Sequence, residues 1–208
     1  NYFGFHRLAI NGFGNIESEQ PIRKHDCILI CNGEIYNWRH LNDISQSQCD
    51  TGSDCEIILD LYFKYGIKQT LQMLDGVFSF IIYDNIKKQI IVGRDTFGVR
   101  PLFMCYRTEV GSKNIDMLYF ASEIKSLVDI CEYQEGKCFK ELGTNELFVK
   151  SQFPAGNYMV FSLEDAKAEV KPICFSMANS FLTKKPTDYK KLIRDSLIGA
   201  VNKRVENT

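Results

Sequence analysis

Seven residues, Val77-Phe78-Ser79-Phe80-Ile81-Ile82-Tyr83, constrain this chain more than any others. All but Ser79 are aromatic or β-branched, so the run reads as a buried strand. Asp84-Asn85 supplies a turn and Gln89 to Val92 returns, which predicts a hairpin. Leu102–Tyr106 with Met117–Ala121 reads as a second antiparallel pair, and Gly156–Leu163 with Val170–Phe175 as a third around Glu164-Asp165. His25 to Cys31 reads as another buried strand, ended by the turn-forming pair Asn32-Gly33.

Helical signals lie between these runs. A short piece is expected over Tyr36–Asp43. Ser53 and Glu56 have capping-box spacing, and Ile57, Ile58, Leu61, Tyr62 and Tyr65 form the apolar face of the helix they open. Gly66 reads as its stop. Ser122-Glu123 starts a short helix to about Asp129, and from Thr187 a long pattern places Tyr189, Leu192, Ile193, Leu197, Ala200 and Val201 on one face. Residues 107–116 and 132–150 are polar and Gly-containing and read as surface insertions, and Thr183–Pro186 reads as a linker. Antiparallel hairpins with interspersed helices predict an α+β layered domain. Pattern alone does not give a reaction.

Composition narrows the classes. The chain has 208 residues, 45% hydrophobic and 25% charged, an ordinary globular balance. Its net charge of -1 and lack of basic runs argue against a nucleic-acid binder. No apolar stretch approaches the roughly 20 residues of a bilayer span, and the N-terminus does not have the pattern of a signal peptide. With no initiator Met, the sequence is expected to be a fragment or a processed form. Eight cysteines without a C-x-x-C pair, and three histidines, make a metal site unexpected. A reducing, cytoplasmic compartment is the expectation.

Five strings carry the functional signal: Arg7-Leu8-Ala9-Ile10, Asn32-Gly33-Glu34-Ile35-Tyr36-Asn37, Gly52-Ser53-Asp54-Cys55-Glu56, Gly93-Arg94-Asp95-Thr96-Phe97-Gly98-Val99-Arg100-Pro101-Leu102, and Phe153-Pro154-Ala155-Gly156. Read singly, each has a plain alternative. Arg7 can be a surface arginine, Asn32-Gly33 a turn, and Asp54 a carboxylate complementing a helix dipole. Arg94-Asp95 reads as an ion pair that fixes a loop. In order and spacing, however, the five strings resemble the glutaminase domain of the glutamine-hydrolysing asparagine synthetase family, and Leu74-Asp75-Gly76-Val77-Phe78-Ser79-Phe80 is similar to its eukaryotic form. The resemblance runs to about Leu163, resumes at Leu192, and is weak across the two insertions.

That resemblance implies a four-layer αββα sandwich of the N-terminal-nucleophile hydrolase type over residues 1–182. Residues 183–208 would be a linker and the first helix of an α/β ATP-pyrophosphatase domain. It implies glutamine hydrolysis, with the ammonia passed to an aspartyl-adenylate. Arg7 would hold the glutamine α-carboxylate, a task a guanidinium fork suits. Leu8, Ala9, Ile10 and Asn11 would line the substrate. Asn32 and Gly33 would form the oxyanion hole, Glu34 would complete the contacts, and Asp54 would take the α-ammonium. The partners would be small molecules: glutamine here, aspartate and ATP in the full enzyme. ATP and Mg belong to the missing synthetase domain, and no cofactor is expected in this segment. A homodimer is compatible with this reading, and neither nucleic acid nor membrane is expected as a partner.

No cysteine here matches the family's N-terminal nucleophile. Cys27 and Cys31 lie in a strand, and Cys55 sits between Asp54 and Glu56, which disfavour a thiolate. The nucleophile is expected upstream of Asn1, and the isolated segment is expected to bind glutamine without hydrolysing it. Two alternatives stay open: a phosphoribosylpyrophosphate or hexosamine-forming relative, and a degenerate, non-catalytic glutamine-binding module.

Overall fold

The computed structural model describes residues 2–5, 18–47, 49–109, 111–133, 146–173 and 188–206. The chain divides into two compact units. One is built from Arg23–Gly33 and Val77–Pro172, the other from Tyr2–Ile22, Glu34–Gly76 and Ile173–Thr208.

The first unit is dominated by strands. β1 (Ile22–Lys24) and β2 (Cys27–Ile35) meet at a two-residue turn, with His25 and Asp26 at φ 46° and 59°. β3 (Gly76–Asp84) and β4 (Gln89–Arg94) form the expected hairpin, with Phe80 opposite Gly93 and Asp84 opposite Gln89. β5 (Phe103–Glu109), β6 (Met117–Ala121) and β7 (Glu146–Gln152) make a separate three-stranded sheet in the order β6-β5-β7. β8 (Asn157–Ser162) pairs with both β4 and β9 (Lys167–Pro172), which completes a six-stranded sheet in the order β1-β2-β3-β4-β8-β9.

Alternation along the strands explains the layering. Val92, Met159 and Phe161 of the larger sheet bury against Leu102 and Phe153, and Met104, Leu118 and Phe120 of the smaller sheet pack on the same cluster. The intervening residues Phe103, Cys105, Tyr119 and Ala121 point the other way, onto Leu127 of α3 (Ile124–Tyr133). Burying side chains of the Leu and Phe class contributes about 1.5–3 kcal/mol each.

The second unit holds α1 (Trp38–Ser45), a 3-10 turn (Asp54–Glu56), α2 (Ile57–Met73) and α4 (Tyr189–Glu206). The apolar face expected of α2 is buried at Ile57, Ile58, Leu61 and Tyr62. In α4 the stripe of Tyr189, Leu192, Ile193, Leu197 and Val201 is exposed. Near its C-terminus, Lys203 Nζ reaches Asp75 Oδ2 at 2.6 Å, and Arg204 lies over the Tyr36 ring at 4.6 Å.

Several expectations are corrected. Asn32-Gly33 does not end its strand. β2 continues through Ile35, because Gly33 lets β3 approach so closely that an added methyl would sit 2.6 Å from Phe78 Cα. The capping box is rearranged: Ser53 Oγ accepts from Cys55 N, and Glu56 Oε2 accepts from the amide and hydroxyl of Thr51. The first turn is therefore 3-10 rather than α. Gly66, at φ 75°, ends only the first helical stretch; the helix resumes beyond this kink to Met73. Residues 146–150 are not insertion but most of β7, in register with β5 from Phe103–Gln152 to Glu109–Glu146. The 107–116 segment is also tied down, with Thr108 Oγ1 donating to Asn114 O at 2.7 Å and Ile115 packed on the inter-sheet cluster.

Candidate active site

The predicted site residues fall in both units. Asn32 and Gly33 lie in the first, Glu34 and Asp54 in the second, and Arg7, Leu8, Ala9, Ile10 and Asn11 fall outside the described residues.

Asn32, Gly33 and Glu34 follow one another on β2. Asn32 is half-buried, and among the described residues its side-chain amide has no hydrogen-bond partner. Such an amide keeps its N–H donors available to a ligand. Gly33 is pressed against the Val77 carbonyl and the Phe78 backbone, so no side chain fits there. At the other end of the same strand pair, Asn85 N donates to Asp26 O, so β2 and β3 run in opposite directions.

Asp54 is 6% exposed. Its Oδ2 accepts the amide of Ile35 at 2.7 Å, a buried bond between residues 19 apart in sequence. The acidic residue at the start of the helical segment is thus fastened to the end of the strand that carries Asn32-Gly33-Glu34. The segment after Ile35 is held as well. Tyr36 N donates to Asp75 O at 2.8 Å. The Asn37 amide clamps both polar types, donating to Met73 O and accepting from Asp75 N, each at 2.9 Å. Gly76 completes this contact, because an added methyl would meet the Glu34 carbonyl and lie 3.1 Å from Ile35 Cα.

Asn37 stands in the Asn32–Asn37 string, and the resemblance assigns it no role. A short amide just past a strand is a known backbone competitor, and that signal was available. Arg94 and Asp95 do fix a loop, as expected, but not as an ion pair. Arg94 donates to the carbonyls of Gly98, Arg100 and Phe153, whereas Asp95 collects amides. Backbone groups outcompete the neighbouring charge because the loop turns back over both side chains.

Among the described residues, no cysteine stands in the position of the family's N-terminal nucleophile. Cys27, Cys31 and Cys55 are buried. Burial and Asp84 push the Cys27 thiol up to about 11, with Lys87 pulling the other way. Among the described residues no group of three or more His, Cys, Asp or Glu could hold a metal, and no helix is long and apolar enough to cross a membrane.

The glutamine amidotransferase domain family matches residues 1–166. The chain belongs to this family. It is 42% identical over 165 residues to asparagine synthetase [glutamine-hydrolyzing] from Homo sapiens, covering 78% of this chain and 26% of that protein. The enzyme of the same name from Mesocricetus auratus is 47% identical over 131 residues, 62% of this chain and 22% of that one. The chain thus spans about a quarter of the length of these relatives. Among solved structures, the glutamine phosphoribosylpyrophosphate amidotransferase from B. subtilis complexed with ADP and GMP has a TM-score of 0.53 at 23% identity, covering 76% of this chain and 32% of that one. A structure described as the allosteric regulatory enzyme of purine biosynthesis has a TM-score of 0.56 at 22% identity, with the same coverage. These likenesses show the fold: an α+β arrangement of antiparallel sheets and helices shared with these two structures.

Proposed function

We propose that this chain is the glutamine-hydrolysing part of an ATP-dependent asparagine synthetase. The observation that carries the reading is its 42–47% identity to glutamine-hydrolysing asparagine synthetases, against 23% to the phosphoribosylpyrophosphate amidotransferase structure. In this reading a cysteine upstream of Asn1 attacks the glutamine carboxamide carbon. The Asn32 side-chain amide and the Gly33 N–H receive the oxyanion, ammonia leaves, and water then releases glutamate from the thioester.

One donor of this kind is worth on the order of 3 kcal/mol in the transition state. The Asn32 amide, without a hydrogen-bond partner among the described residues, suits the task, as does the side-chain-free backbone at Gly33. Asp54 takes the α-ammonium, Arg7 the α-carboxylate, and Glu34 with the 8–11 backbone completes the pocket. The released ammonia passes to an aspartyl-adenylate formed with ATP and Mg in the remaining three quarters of the protein. The glutaminase domain extends over residues 1–182, and 183–208 lead into the synthetase part. The compartment is the cytoplasm.

The test is the full-length gene product with amide-15N glutamine, aspartate, ATP and Mg. Glutamate and 15N-asparagine should form in step, and Asn32→Ala should lower turnover of glutamine more than its affinity. Glutamate release without any asparagine would assign the chain to another amidotransferase. Absence of glutamate, with ammonia-dependent synthesis intact, would make it a non-catalytic module.

A further inference from the structure

Asp95 is 2% exposed and takes no part in the chemistry just proposed. Its carboxylate accepts four backbone amides. Oδ1 takes Phe97 N and Val99 N, both at 3.0 Å; Oδ2 takes Arg100 N at 3.1 Å and Phe78 N at 3.2 Å. Its own amide donates to Phe78 O at 2.8 Å, and its carbonyl accepts from Gly98 N at 3.0 Å and Gly156 N at 2.8 Å.

Fixing the loop needs only the bonds to residues 97–100. The two bonds to Phe78 cross to β3 and hold both polar groups of a single residue there. Phe78 is also the residue on which Gly33 rests, with the virtual methyl 2.6 Å from its Cα and 2.9 Å from its Cβ. No side chain cushions this contact, so a shift of the Phe78 backbone passes directly to Gly33.

We propose that Asp95 is a positioning residue for the oxyanion donors: by pinning the Phe78 backbone on both its N–H and C=O, it sets where Gly33 and the adjoining Asn32 lie. The inference rests on the reading of Asn32 and Gly33 as those donors. Its physical basis is the steep distance dependence of oxyanion stabilisation. Donors must stand about 2.7–3.1 Å from the developing charge, and a displacement of roughly 1 Å costs about 100-fold in rate.

The variant is Asp95→Asn in the full-length protein. A carboxylate only accepts, whereas a carboxamide presents one NH2 group. In either orientation that group faces two of the four amides. Glutamine kcat should fall at least about tenfold, with KM within about threefold and ammonia-dependent synthesis retained. Arg94→Lys is measured beside it. Arg94 donates to three carbonyls around the same loop and to none on β3. That variant should lower Tm and leave glutamine kcat near the parent value.

An unchanged kcat in Asp95→Asn overturns the proposal, and so does an equal kcat loss in Arg94→Lys. If Asp95→Asn does not fold, Asp95→Glu keeps the acceptor and displaces it by one methylene. Lower glutamine kcat with ammonia-dependent synthesis intact supports the proposal there; loss of both activities, or of neither, overturns it. Asn32→Ala separates the two failures. If it leaves turnover unchanged, the oxyanion reading itself falls. If it lowers turnover and the Asp95 variants do not, only the positioning role falls.

Discussion

Asp54 and Ile35 are joined by a buried 2.7 Å hydrogen bond, in which the Ile35 amide donates to the carboxylate. The residue proposed to read the substrate's ammonium therefore also holds the strand end that follows Asn32, Gly33 and Glu34. Two substitutions separate these tasks. Asp54→Asn can still accept from Ile35 but loses the charge, so KM for glutamine should rise about 10- to 100-fold, the range of a charge-assisted hydrogen bond, with kcat little changed. Asp54→Ala loses both, and kcat should fall by a further factor of about 10. Steady-state kinetics with glutamine and with ammonia check this. An unchanged KM in Asp54→Asn removes Asp54 from substrate binding, and identical kinetics in the two variants remove the Ile35 bond from catalysis.

Asn37 holds the 73–75 segment by two hydrogen bonds of 2.9 Å through one amide. Asn37→Ala leaves the Asp75 amide and the Met73 carbonyl without their protein partner. The cost should be about 1–3 kcal/mol, read as a lower urea midpoint at constant m-value. A stability change below about 0.5 kcal/mol, the level of an ordinary surface substitution, would show that water replaces the clamp.

Cys27 carries the pH prediction. Its thiol is raised from 9.0 to about 11 by burial and by Asp84. The native state thus holds this proton more tightly than the unfolded chain does. The linked stability is intact below pH 9, where both states are protonated, and is lost as pH rises through about 11. Thermal melts between pH 9 and 11 should show a decline that Cys27→Ala lessens. The parent thiol should also resist iodoacetamide at pH 8 in the native state. Equal slopes in the two proteins would rule out a raised Cys27.

Much of this architecture was legible from local pattern. The hairpin of β3 and β4, the start of α3 and the long helix α4 all follow from short-range signals. What was missed depended on contacts distant in sequence. Asn32-Gly33 has turn chemistry, yet pairing with β3 holds it in a strand. Residues 146–150 hold the apolar run Leu147-Phe148-Val149 but follow a polar, Gly-containing stretch that masks it, and their partner β5 lies about 40 residues earlier. Arg94-Asp95 looked like a mutual pair because adjacency in sequence is visible, whereas the Phe153 carbonyl and the Phe78 amide are not. For the site, Asn32, Gly33 and Asp54 were found by the resemblance of their strings; the Ile35 and Asp95 hydrogen bonds had no counterpart in any string.

The two glycines at opposite extremes of crowding give the last prediction. At Gly33 an added methyl would lie 2.6 Å from Phe78 Cα and 2.9 Å from Phe78 Cβ, close to backbone that cannot rotate away. At Gly199, within α4, nothing lies within 4 Å. Gly33→Ala must push β2 away from β3, an overpacking cost of about 1–3 kcal/mol. The displaced strand carries the proposed oxyanion donors, so glutamine turnover should drop by about 100-fold while ammonia-dependent synthesis persists. Gly199→Ala should instead stabilise the helix by about 0.5–1 kcal/mol. Denaturant melts and parallel glutamine and ammonia assays read both. A Gly33→Ala protein with parental stability and turnover would show that β2 and β3 can separate without harm, and the close approach would then have no catalytic meaning.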